Sequence, residues 1–115
     1  MKNLAPNITR QRLIIEATCN NLINEKQIKE YLIKLSSTLG MKTLCEAMTH
    51  QSIKFGWAGW IHWEASGCHF YAWDKPSPFL SVDIYTCKEF SVEKAVEFTK
   101  TYFNTLEIVW KEVKV

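Results

Sequence analysis

Two stretches of helical period bracket a long block of strand period, and that order leaves few folds open to the chain. Asn24 to Leu39 places Ile28, Leu32, Leu35 and Leu39 on one face, and Ser91 onward does the same with Val92, Ala95, Phe98 and Tyr102. Asn24 with Gln27 makes a capping box, Gly40 a C-terminal stop, and Ser91 a second N-cap. RLIIEATC, residues 12–19, is β-branched and apolar and suits a buried strand. Between the helices lie strand-like runs at about 42–50 and 57–64 and a hairpin over 66–87 that turns at DKPSPF, and LEIVWKEV alternates as a final strand. The order is β-α-β-β-β-β-α-β. With both helices on one side, it predicts an α+β two-layer sandwich with a largely antiparallel sheet.

The 115 residues carry no linker, repeat or low-complexity stretch and are expected to form one domain, 1–115. A chain this short buries only about two-thirds of its unfolded surface, so help from a partner subunit is expected. The tryptophans of GWAGWIHWE fall at 57, 60 and 63, placing large apolar groups on both strand faces, and Phe70 and Leu80 are expected on opposite faces of the hairpin. A sheet with water on one side alternates cleanly. The second face is therefore expected to be covered by another copy, in a sheet-on-sheet homodimer.

Composition excludes several classes. Net charge is +2, with lysines scattered among glutamates, and no basic stripe alternates with aromatics as nucleic-acid binding requires. No segment has the roughly 20 apolar residues of a membrane helix, and MKNLAPNITR lacks the core of a signal peptide, so a cytoplasmic protein is expected. Cys19, Cys45, Cys68 and Cys87 show no CxxC spacing and no paired histidines, so neither a metal site nor disulfides are expected.

The hairpin suggests chemistry. If Trp73 pairs with Leu80, Ser66 falls directly opposite Cys87. Opposed residues of an antiparallel pair share a face, with Cβ atoms roughly 5 Å apart, so a hydroxyl nucleophile and a soft proton donor become neighbours. Outside any family context, Ser66 in a Ser-Gly pair reads as a turn residue and Cys87 as a packed thiol. Glu16 within LIIEA is a carboxylate in an apolar strand, which is costly unless it is paired, functional or on an edge facing water.

FGWAGWIHWEASGCHFYAW followed by SVDIYTC resembles the central motif of the prokaryotic S-adenosylmethionine decarboxylases, approximately YGVSGVVVISESH, then a histidine and a Thr-Trp pair, then AVDVFTC. The match runs without a gap from His50 to Trp73, needs one inserted residue in the turn, and resumes to Cys87. The resemblance implies self-cleavage of the bond before Ser66 and conversion of Ser66 to a pyruvoyl group, with no metal. That carbonyl takes up electrons as carbon dioxide leaves S-adenosylmethionine or a related small molecule, in polyamine (spermidine) synthesis. It also implies Cys87 as proton donor and Glu16 as a residue that holds substrate. Phe55 and Trp57 are candidates for substrate binding; the tryptophans are first of all core or interface filling, though one could stack on an adenine ring.

The chain departs from that motif in places that matter. Ala65 stands where the family has the glutamate before the cleaved bond, Gly67 where it has the following histidine, Ala58 where it has a serine that helps cleavage, and Tyr71 where it has a proton-abstracting histidine. His69 is two residues from Tyr71, hence on the same strand face and roughly 7 Å away, and is the candidate to do that histidine's work. An unbroken strand sets Ser66 on the face opposite His69 and Tyr71, so the site is expected to need a bulge or a histidine from the second protomer. The alternatives are a non-processing relative that binds the nucleoside or regulates an active paralogue, and an interaction module on the same sandwich.

Overall fold

A computed structural model describes residues 1–114. The elements run β1 (Gln11–Thr18), α1 (Glu25–Thr38), β2 (Met48–Ser52), β3 (Gly56–Trp63), β4 (Ser66–Trp73), β5 (Phe79–Thr86), α2 (Val92–Phe103) and β6 (Glu107–Val113), the order expected from periodicity. The strands form one antiparallel sheet in the order β2-β3-β4-β5-β1-β6, with both helices packed on one face. The Asn24 side chain accepts from the Gln27 N–H while the Gln27 side chain accepts from the Asn24 N–H. Gly40 sits at φ 67, where a residue without Cβ closes α1 cheaply.

The core lies between helices and sheet. Leu13, Ile15, Ile61, Phe70, Leu80, Val82 and Ile84 point inward from four strands and meet Ile28, Leu32 and Leu35 of α1 and Ala95 of α2. Tyr31 is fully buried against Phe70 at 5.3 Å and Phe103 at 4.9 Å, and its hydroxyl is satisfied by Thr99 Oγ1 at 2.8 Å. Trp63 likewise donates its indole N–H to Ser36 Oγ at 2.7 Å. Gly59 is where α1 rides closest to the sheet, since a Cβ there would lie 2.5 Å from Ile28 Cγ2. Gly59→Ala is therefore expected to destabilise the chain by about 1–3 kcal/mol in denaturant unfolding, the usual cost of overpacking.

Two details correct the sequence expectations. The run at 42–50 is not one strand: Thr43 bridges Trp63 alone, the chain bends at 44–45 and is irregular at 46–47, and β2 begins at Met48. The hairpin is also one residue tighter, because Trp73 pairs with Phe79 instead of Leu80. The expected register would set Asp83 beside Phe70 on the inward face and bury a carboxylate. Slipping by one flips all of β5. Leu80 therefore joins Phe70 in the core, not on the opposite face, and Ser81, Asp83 and Tyr85 turn outward.

Candidate active site

The outward face of the sheet carries the chemistry, and the strand pairing arranges it in rows. One row reads Val113, Arg12, Tyr85, Gly67, His62; the next Lys111, Ile14, Asp83, His69, Trp60, Met48; the third Val109, Glu16, Ser81, Tyr71, Ala58, His50. Neighbours within a row are about 4.8 Å apart along the strand spacing. Gly67 leaves a gap between Tyr85 and His62. There a cavity of about 610 Å³ opens, bordered by Ser66, Gly67, His62, His69, Tyr71 and Tyr85 among others.

Ser66 reaches this cavity because it opens β4. Trp63 pairs with Ser66, so Glu64 and Ala65 alone make the turn between β3 and β4. Ala65 is left-handed, with φ 59. A residue with a Cβ held there costs about 1–2 kcal/mol, and this one supplies the carbonyl of the bond before Ser66. Ser66 borders the same cavity as His69 and Tyr71, although the unbroken β4 gives it the inward parity of Cys68 and Phe70 and sets those two outward, as the alternation predicts.

The Ser66–Cys87 contact differs in kind from the one expected. Direct opposition fails with the register, yet the Cys87 backbone N–H donates to Ser66 Oγ at 3.1 Å. An N–H aimed at a hydroxyl oxygen favours negative charge there and leaves the hydroxyl proton free to be taken. The Cys87 thiol turns to the Tyr85 hydroxyl, 3.5 Å away. When the phenol O–H is the donor to that sulfur, the bond is the main reason Tyr85 is held above its ordinary range. Tyr71 and His69 meet through the phenol oxygen and Nδ1 at 3.4 Å, either group donating according to the imidazole tautomer. Cys68, by contrast, is wholly buried, and burial first, then Asp83, pushes its thiol far up and keeps it inert.

A sequence profile described as S-adenosylmethionine decarboxylase matches residues 12–114. The chain belongs to that family. Among solved structures it is similar to the adenosylmethionine decarboxylase from Aquifex aeolicus VF5, with a TM-score of 0.77 at 17% identity, covering 92% of this chain and 89% of that one. No curated protein sequence matches it. S-adenosylmethionine decarboxylases are pyruvoyl-dependent, so the fit of Ser66 to that group matters. It fits on local grounds: an open cavity, a polarised hydroxyl and a strained residue on the acyl side.

The remaining residues expected at an S-adenosylmethionine decarboxylase site do not share one face: Glu16 is on the outward face, Phe55 in a turn and Trp57 toward the core. Glu16 is exposed and sits beside Ser81, two strands from Tyr71, at a separate cavity of about 160 Å³ with Phe79 and Val109. It is not on an edge, because β1 lies between β5 and β6. Phe55 is 57% exposed in the β2–β3 turn and lines a cavity of about 400 Å³ with His50, Ala58, Tyr71 and Trp73. Trp57 borders that cavity but packs mainly against the core. Tyr71 stands between the two larger cavities and lines both. Sequence reasoning missed His62, Arg12, Asp83 and Tyr85. Each sits at a register position, so only the correct hairpin pairing could have gathered them.

Proposed function

We propose that the chain is a self-processing, pyruvoyl-dependent decarboxylase of S-adenosylmethionine in polyamine (spermidine) biosynthesis, working in the cytoplasm as a homodimer. The Cys87 N–H on Ser66 Oγ, in a cavity shared with His62, His69 and Tyr71, carries this reading. Ser66 Oγ attacks the Ala65 carbonyl carbon, its proton passes by way of the cavity, whose imidazoles are His62 and His69, to the departing nitrogen, and the peptide C–N bond becomes an ester. Loss of the Cα proton of residue 66 then expels Ala65 as a carboxylate, and water with release of ammonia leaves the ketone. The pyruvoyl carbonyl so formed is an electron sink for loss of carbon dioxide. Cys87 holds the proton for the carbon left behind, and the aromatic cavity of Phe55, Tyr71 and Trp73 suits a purine ring.

Intact-mass measurement of the purified protein tests this. Two chains, residues 1–65 and 66–115, the second beginning with a ketone, are expected. One uncut chain of 13.4 kDa excludes pyruvoyl chemistry. If S-adenosylmethionine still raises the melting temperature of such a chain, it is a nucleoside-binding relative that does not process.

Apolar exposure on the outward face supports the homodimer: Ile14 and Trp60 are each 37% exposed, Met48 51% and Val109 54%. Among the described residues no helix is long and apolar enough to cross a membrane. Trp60→Glu is expected to raise the dimer dissociation constant at least about 30-fold in sedimentation, the loss of one buried aromatic anchor. An unchanged constant would place the interface elsewhere.

A further inference from the structure

The proposed reaction leaves Tyr85 without a role, although it is the side chain in contact with the Cys87 thiol. Tyr85 and Cys87 are two apart on β5 and its end, so they share a face, and the thiol donates to the phenol oxygen at 3.5 Å. The ring is held from the other side by the Arg12 guanidinium, 4.9 Å from its centroid, on the neighbouring strand β1. Cys87 is thus fixed at both ends, its N–H on Ser66 Oγ and its S–H on Tyr85. Gly67 is the direct partner of Tyr85 on β4 and has no side chain to crowd the pair.

We propose that Tyr85 is a positioning residue for Cys87, holding its thiol toward the cavity that Tyr85 and Ser66 border and steadying the thiolate left once the thiol has given up its proton. A phenol can serve both states. Its oxygen accepts from the thiol beforehand, and its own O–H donates to the sulfur afterwards, the stronger bond of the two because it is charge-assisted. The proton balance closes, since the thiol proton goes to the substrate carbon and solvent returns one to sulfur. The other charged or titratable groups on this cavity are Arg12 of β1, His62 of β3, His69 and Tyr71 of β4 and Asp83 of β5. None of these has a hydrogen bond to the Cys87 thiol among the described residues.

This inference rests on the decarboxylase reading for its role in turnover, and the experiment separates the two. In Tyr85→Phe, cleavage before residue 66 is expected to proceed as in the parent by intact mass, while kcat falls about tenfold with KM unchanged, the usual worth of one hydrogen bond to a charged group. In a Cys87→Ala background the same substitution should change nothing further, a coupling that a merely structural role would not produce. Iodoacetamide labelling of Cys87, followed on its own peptide, should slow severalfold in Tyr85→Phe whether or not the chain is an enzyme. Unchanged labelling, or additive kcat losses, overturns the Tyr85 role. Slowed labelling in a chain that never cleaves keeps the contact and overturns the decarboxylase reading, and with it the part Tyr85 plays in turnover.

Discussion

Ser66→Ala is expected to leave the chain whole: a single mass in place of two, with decarboxylation abolished. The substitution removes the oxygen that attacks the Ala65 carbonyl in the proposed cleavage, and no other hydroxyl side chain begins at that bond. The fold should survive, because Ser66 is only half-buried and its loss leaves a single N–H, that of Cys87, without its acceptor. That costs about 1–3 kcal/mol at most, less where water reaches the group. Two masses from Ser66→Ala would show that cleavage is not driven by this side chain.

Cys87→Ala should separate the two halves of the reaction. In the proposed reaction the residue serves Ser66 through its backbone N–H and turnover through its thiol, and alanine keeps the first and deletes the second. Processing is therefore expected to run as in the parent, while kcat of the cleaved protein falls about 10²- to 10⁴-fold, the range for loss of a positioned proton donor. If Cys87→Ala also blocks cleavage, the thiol takes part in maturation. If kcat is unchanged, the proton comes from elsewhere, and Tyr71 or His69 becomes the donor to examine.

Two imidazoles stand beside the places where the family histidines are expected and this chain has Gly67 and Tyr71. His62 is the cross-strand partner of Gly67, and His69 bonds to Tyr71 through Nδ1. A phenol is a poor base at neutral pH, but one in contact with an imidazole can pass a proton to it. The lost and the present groups occupy adjacent places on one sheet face.

The element order, the caps at Asn24, Gly40 and Ser91, and the family all followed from the chain itself, because each rests on residues a few positions apart or on one contiguous motif. Helical and strand periods are local facts. Hairpin register is not, since it turns on which face of β5 can bear Asp83, and that requires knowing that Phe70 and Ile84 already look into a core built by two distant helices. One residue of slip decided whether Ser66 faced the Cys87 side chain or received its backbone N–H. Only the tertiary structure could decide that, and with it the row that brings Arg12, Tyr85, Gly67 and His62 from four strands to one cavity.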